Sequence, residues 1–303
     1  MRTLITGSNG LLGQKLVAAL RQDLAIDLLA TSRGSDRTPD PLGSRYSPMD
    51  ITLAAEVDQV FDAFRPEVVI HTAAMTNVDA CELDPIACEL QNVTATEHLV
   101  RAAERHGAHF IHLSTDFIFD GLHGPYREED EPAPLSIYGH SKLKAERIVI
   151  NSRLSKWAIA RTIIVYGIAE GLSRSNVVLW AKSALEKGQP INVVDDQWRM
   201  PTLAEDLADG CIRIAKQGAT GIYNLSGPDG MSILELVKRV GEFFELDTTV
   251  VSPVKSGSLG QPARRPPKTG FILEKARKEL GYSPHGFESG LAVLRDQLAD
   301  RAR

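Results

Sequence analysis

Eight residues near the amino terminus, Thr6-Gly7-Ser8-Asn9-Gly10-Leu11-Leu12-Gly13, constrain this chain more than any other stretch. They follow a short apolar run, Arg2–Thr6, and open a segment of helical period, Leu11–Arg21, so the glycines fall at a strand-to-helix turn with G-x-x-G-x-x-G spacing. A glycine-rich turn lets the backbone approach a pyrophosphate, whose charge rests on free N–H groups and the positive end of the helix dipole. Gly7, Asn9, Gly10, Leu11, Leu12 and Gly13 are therefore expected to hold a dinucleotide. A merely tight turn is the plainer reading, and its place at the start of a strand–helix series weighs against it.

The series continues. Ile26–Ala30, Val68–His71 and Phe110–Ser114 read as further strands, with helices over Ala54–Phe64 and Ile86–His106. Short buried strands alternating with helices are the signature of βαβ units, which right-handed crossovers wind into a parallel sheet covered on both faces. A helix is predicted to start near Ser136, because Pro132 and Pro134 oppose helix upstream and Ser136 can cap the first turn. Ala158–Tyr166 is the next expected strand. Beyond Gly167, helices are expected over about Ser173–Lys187, Ala204–Lys216, Ser232–Phe244 and Phe287–Leu298, and Ser252–Lys268 is expected to be a mobile loop. The expected fold is α/β: a Rossmann-type doubly wound parallel sheet from residues 1–167 plus about 202–227, and a second, smaller α/β substrate lobe from about 168–201 plus 228–303.

Composition narrows the partners. The 303 residues carry 34 Lys and Arg against 39 Asp and Glu, a net charge of −5 without any long basic run, which argues against nucleic acid or an anionic membrane. Cys81, Cys88 and Cys211 cannot all pair and lack C-x-x-C spacing, so neither a disulfide framework nor a cysteine zinc site is expected. No apolar stretch of about 18 residues occurs, and the first residues do not resemble a signal peptide, so the expected location is the cytoplasm. His106, His109 and His112 straddle a helix end and a strand, whereas a metal cluster should share a face, and no metal is expected.

The second strand runs out at Ala30-Thr31-Ser32-Arg33, where a site built for NAD would carry an acidic residue for the ribose hydroxyls. Ser32 and Arg33 suit a 2′-phosphate instead, so NADP(H) is the preferred cofactor, with NAD(H) as the alternative. Asp50 and Ile51 are placed to meet the adenine, although Asp50 also reads as a helix cap. Ala73 and Ala74 are small where a cofactor backbone has to pass, a pattern that close packing would also produce.

Tyr138-Gly139-His140-Ser141-Lys142 puts a tyrosine and a lysine on one helix face. A free tyrosine is a poor acid near neutrality, and a neighbouring ammonium is expected to favour its phenolate and bring its pKa toward working range. Most such pairs are surface pairs. Here Ser114-Thr115-Asp116 closes the preceding strand at the carboxyl edge, where open α/β sheets bind ligands, so the Thr115 hydroxyl can share a carbonyl oxygen with Tyr138. Trp198 and Met200 read either as pocket lining or as loop anchors.

These residues resemble the extended short-chain dehydrogenase/reductases, and among them the dTDP-4-dehydrorhamnose reductase family. Ser114 to Gly121 is similar to that family's STDYVFDG with Phe117 for its Tyr, Tyr138 to Lys142 to YGxSK, Asn77-Val78-Asp79 with Glu82 to NVDxxE, and Asp196-Gln197 with Pro201-Thr202 to DQxxxPT. The resemblance implies catalysis by Thr115, Tyr138 and Lys142, with hydride passing from the nicotinamide to a keto carbon of a nucleotide-activated 4-keto-deoxysugar and Tyr138 protonating the oxygen. It places Asp116 near the substrate and makes Asn176 and Arg199 candidates for the nucleotide-sugar phosphates. Arg161 to Gly167 departs from the family's RTSWVYG, with Ile164 where a Trp faces the sugar, which leaves the sugar open. Two other readings stand beside the reductase: an epimerase or dehydratase of the same branch, and a non-catalytic NADP-binding subunit resembling the regulatory subunit of methionine adenosyltransferase. A second copy of the chain is a candidate partner.

Overall fold

The computed structural model describes residues 1–37, 45–172 and 175–301. The chain opens with β1 (Arg2–Thr6), α1 (Leu11–Leu20), β2 (Asp27–Ser32), β3 (Arg45–Pro48), α2 (Ala54–Phe64) and β4 (Val68–His71). α3 (Val78–Leu83), α4 (Pro85–Glu89) and α5 (Ala95–His106) come next, and then β5 (His109–Thr115), α6 (Ile137–Ile150) and β6 (Trp157–Thr162). With β11 (Gly221–Asn224), the strands form one seven-stranded parallel sheet in the order β3-β2-β1-β4-β5-β6-β11. The order reverses between β1 and β4, and the carboxyl ends of these strands border the crevice where such sheets take ligands.

The central strands β1, β4 and β5 form because each is a short run with almost every residue buried, as a sheet covered on both faces requires, whereas the edge strand β3 has no buried residue. Val57, Val60, Phe61 and Phe64 give α2 an inward stripe at i, i+3, i+4 and i+7, which packs with Leu99 and Ala103 of α5 on one face. On the other face, Leu16 and Val17 of α1 meet Leu207, Cys211 and Ile214 from α8 (Ala204–Gln217). The three cysteines are free and buried.

Two expected elements are interrupted. Between α4 and α5, Leu90–Thr94 is a π-helical turn, so the stretch expected as one helix from Ile86 to His106 is broken. Ala158–Tyr166 is likewise two strands, β6 and the short β7 (Val165–Tyr166), separated by Ile164 at φ +31°. The Ile164 carbonyl accepts from Thr202 N at 3.2 Å and the Ile163 carbonyl from the Thr202 hydroxyl at 2.7 Å, so pairing with β10 (Thr202–Leu203) holds the bend.

A second core lies beyond the bend. α7 (Val177–Glu186), α9 (Ile233–Phe243) and α10 (Phe287–Arg301) bring Val178, Leu185, Val237, Val240 and Leu291 together over β8 (Ile191–Val194), which pairs in parallel with β13 (Val251–Val254). The expected start of the first of these helices, Ser173, lies outside the described residues; the helix is seen from Val177, capped by Asn176. β9 (Trp198–Arg199) pairs antiparallel with β12 (Met231–Ser232). The stretch expected to be a mobile loop is tied at both ends: Ser252 and Pro253 belong to β13, and Lys268 N donates to the Gly121 carbonyl at 3.2 Å. Ala276, Leu280 and Tyr282, assigned by sequence to the smaller lobe, pack into the core under α1 and α8, because their apolar side chains cover the end of the sheet beside Tyr223.

Candidate active site

One cavity of about 840 Å³ runs along the carboxyl edge of the sheet, from the glycine-rich turn to α6 and on to the second core. Gly7, Gly10, Leu11, Leu12 and Gly13 line one end. Gly7 has φ +74°, and a Cβ there would stand 2.7 Å from Ala73 N; at Gly13 it would stand 2.2 Å from the Gly7 carbonyl oxygen. The turn therefore closes only with glycine at both positions, leaving backbone N–H groups facing open space at the start of α1. Asn9 is the exception within this turn. Its side chain accepts from Arg37 N at 2.8 Å and donates to the Ser35 carbonyl at 2.9 Å, shaping the segment after β2 instead of lining the cavity.

Ser32, Arg33, Asp50, Ile51, Ala73 and Ala74 line the cavity at the same end as the glycine turn. Arg33 is exposed, makes no salt bridge to another described residue, and helps hold the Asp50 carboxyl low. Asp50 does not cap α2, whose N-cap is Leu53; its carboxylate accepts from Thr52 N at 2.9 Å and the Thr52 hydroxyl at 2.7 Å. The cradle, the absence of a carboxylate at the end of β2 and the free guanidinium fit a dinucleotide carrying a 2′-phosphate.

The chemistry sits at the other end. β5 delivers Thr115 and Asp116 to the sheet edge, and Ser136 caps α6 by accepting from Gly139 N at 3.2 Å, which turns Tyr138 and Lys142 inward. Thr115, Tyr138 and Lys142 are all buried and all line the cavity. Burial raises the Tyr138 phenol above its ordinary value; the Thr115 hydrogen bond opposes this, while Asp116 and the nearby Cys81 and Cys88 add to it. The expectation of a lowered phenol therefore does not hold, because desolvation outweighs what would lower it. Lys142 Nζ is 3.2 Å from His112 Nε2, and burial brings its pKa down to about 8 against the pull of Glu146 and Cys88. The phenol is thus a proton donor throughout the neutral range.

Arg199 requires a correction. Only 1% exposed, it does not line the cavity; its guanidinium donates to the Pro266 carbonyl at 2.8 Å and the Trp198 carbonyl at 2.7 Å, and Nε lies 3.6 Å from Asp116 Oδ2. It is stacked over the Phe117 ring, 5.6 Å from the centroid, and the same ring meets Tyr138 edge-on at 5.8 Å. Three carbonyls and a buried carboxylate consume the cation that the resemblance offers to the nucleotide-sugar phosphates. Asp116 is buried with it: Oδ1 accepts from the Thr115 hydroxyl at 3.1 Å and Oδ2 from the Thr269 hydroxyl, and desolvation raises its pKa despite Arg199. Besides Arg33 near the glycine turn, the cavity is lined by Arg265, held by Asp79 at 2.6 Å. Asn176 lines it too, while capping α7 through Leu179 N at 3.1 Å and donating to the Gly167 carbonyl at 2.7 Å.

Two residues that organise the site were not anticipated. Asn92, in the π turn, accepts from Met75 N at 2.7 Å and donates to the Met75 carbonyl at 3.1 Å and the Ser141 hydroxyl at 3.0 Å, tying the loop after β4 to α6. An amide in the middle of an otherwise regular helical pattern was the available signal, since asparagine competes with its own helix for hydrogen bonds. His112 is the other. Among the described residues no group of three or more His, Cys, Asp or Glu side chains is arranged to hold a metal ion, and no helix is long and apolar enough to cross a membrane.

The chain is 31% identical to the probable low-salt glycan biosynthesis reductase Agl14 of Haloferax volcanii over 99% of both chains. It is also 31% identical to methionine adenosyltransferase 2 subunit beta of Xenopus tropicalis, over 87% of this chain and 78% of the other. Among solved structures, dTDP-4-dehydrorhamnose reductase from Bacillus anthracis in complex with NADP superimposes with a TM-score of 0.82 at 27% identity, covering 98% of this chain and 99% of that one. The family described as RmlD substrate binding domain matches residues 1–299, and the chain belongs to that family, within the extended short-chain dehydrogenase/reductases.

Proposed function

We propose that this protein is an NADP(H)-dependent reductase of a nucleotide-activated 4-keto-deoxysugar, working in the cytoplasm. The observation that carries the reading is the convergence of Thr115, Tyr138 and Lys142 on one cavity with the glycine turn at its far end. The glycine turn, Ser32, Arg33, Asp50, Ile51, Ala73, Ala74, Tyr138 and Lys142 are the residues that would hold the cofactor, which supplies the hydride. Tyr138, kept protonated by burial, gives its proton to the carbonyl oxygen as charge develops there. Thr115 donates a hydrogen bond to the same oxygen, turning its hydroxyl away from Asp116 to do so. Lys142 positions the nicotinamide ribose and offsets the negative charge left on Tyr138. At the second-lobe end, Arg265 replaces Arg199 as the cation facing the nucleotide diphosphate, with Asn176 beside it.

The test is NADPH oxidation across a panel of dTDP-, UDP- and GDP-linked 4-keto sugars, where turnover with at least one is expected. Isomerisation of a nucleotide sugar by tightly held NAD without net NADPH oxidation would replace this reading with an epimerase. No turnover, together with stoichiometric recovery of an enzyme partner, would replace it with a regulatory subunit like the Xenopus relative.

Arg33 provides a separate prediction. Losing a charge-assisted hydrogen bond to a phosphate costs about 1.5–3 kcal/mol, so Arg33→Ala should weaken NADPH roughly 10- to 100-fold while NADH changes little. Fluorescence titration of both cofactors decides it, and an equal loss for the two would remove the case for 2′-phosphate recognition.

A further inference from the structure

Lys142 is a buried cation held in an unusual way. A fully desolvated ammonium ordinarily pairs with a carboxylate. The nearest candidate on its own helix, Glu146, is already committed: both carboxylate oxygens take a buried Arg161, at 3.0 and 2.8 Å. What meets Lys142 Nζ is His112 Nε2, 3.2 Å away on β5. Strand alternation sets this up, because His112 points to the same face of the sheet as Phe110, the face that α5 and α6 cover.

The surroundings of His112 settle its charge and tautomer. It is fully buried, it lies beside the Lys142 cation, and its ring centroid is 5.3 Å from that of His71 on β4. Burial first, then Lys142 and His71, hold its pKa well below the ordinary value. His71 is neutral for the same reason, its pKa brought by burial and by Lys142 to about 3, and it is engaged with Thr6 Oγ1 at 2.8 Å and Thr96 Oγ1 at 3.3 Å. A neutral imidazole facing an ammonium has to present its bare nitrogen, so Nε2 accepts and the proton resides on Nδ1, which has no partner among the described residues. The remaining groups facing Lys142 are Tyr138 and Glu146 on α6 and the Cys88 thiol on α4.

We propose that His112 is the positioning residue of Lys142: an uncharged imidazole that receives the ammonium at Nε2 and fixes it one helical turn from Tyr138 without supplying a countercharge. A carboxylate in its place would hold the lysine equally well, but would cancel the positive field that a developing tyrosinate needs. A hydrophobic residue would leave the ammonium with no acceptor, favouring loss of its proton. His112 gives the geometry and spares the charge.

The kinetic arm of the test rests on the reductase reading. In wild-type protein kcat should fall as pH rises through about 8, where Lys142 loses its proton. In His112→Leu this alkaline limb should move down by about one pH unit or more, because a hydrogen bond to a charged group is lost. Near pH 6, where the lysine is protonated in either protein, the variant should recover most of its activity. His112→Gln carries an acceptor at the Nε2 position and should return the limb close to wild type. A loss in His112→Leu that is equal at every pH, or a limb that stays put, overturns the proposal. The second arm needs no substrate and survives failure of the reductase reading. In the full chain with 15N-labelled histidine, NMR should show His112 neutral from pH 5 to 9 with Nδ1 protonated and Nε2 bare; an imidazolium or an Nε2–H tautomer overturns it.

Discussion

Tyr138→Phe should lower kcat by about 100- to 10,000-fold, the range over which a positioned general acid contributes. NADPH affinity should stay close to wild type, because the phenyl ring remains against Phe117 and only the hydroxyl is removed. Stability should change by no more than about 1 kcal/mol, the net value of a single hydrogen bond, since only one hydroxyl is removed. Single-turnover kinetics with saturating NADPH separates these terms. The direction of the Tyr138 shift adds a second signature. Since burial raises the phenol, it stays protonated across neutral pH, and the alkaline limb of the wild-type profile belongs to Lys142 near pH 8 and not to the tyrosine. A wild-type limb that vanished in Tyr138→Phe residual activity but persisted unshifted in Lys142→Met would reverse this assignment of roles, whereas undiminished turnover in Tyr138→Phe would remove the acid outright.

What the sequence revealed follows a physical division between local and distant causes. The sheet was legible because a buried parallel strand must be a short apolar run, and the glycine turn because only that residue permits the close approach to Ala73 and the return past Gly13. The Ser136 cap was equally local. Ile164 was not: a β-branched residue at φ +31° contradicts its own preference, and it is held there by Thr202, some 40 residues on. Arg199 is the sharper case. Its burial depends on carbonyls at Pro266 and Pro267 and on a carboxylate at Asp116, none of them near in sequence, so the sequence left it available as a candidate for the nucleotide-sugar phosphates. For His112, alternation on β5 did fix its face, but which helix would cover that face, and with which side chain, is decided by the crossover after β5. Asn9 shows the reverse: right turn, wrong direction, because its side chain found Ser35 and Arg37 in the segment after β2.

Arg199→Met should destabilise the protein by about 3–5 kcal/mol, the usual cost of removing one partner from a buried pair. The loss is large because two things fail together. Asp116 keeps its carboxylate in a desolvated site with the Thr115 and Thr269 hydroxyls for company, and the Pro266 carbonyl loses its donor, while the Pro267 carbonyl keeps Trp198 N at 2.8 Å. Arg199→Lys should recover little, since a single ammonium cannot serve carbonyls and carboxylate from one position. If Arg199 instead contacted the substrate phosphates, the same variants would raise KM and leave unfolding untouched. A double-mutant cycle with Asp116→Asn distinguishes these outcomes through the urea midpoint read by far-UV circular dichroism. The amide needs no counterion, so the pair should be less destabilised than the sum of the single variants, with a coupling of about 1 kcal/mol or more. Additive losses would mean that Arg199 and Asp116 hold their places independently. The link from β9 through Asp116 to the Thr115 hydroxyl would then fail.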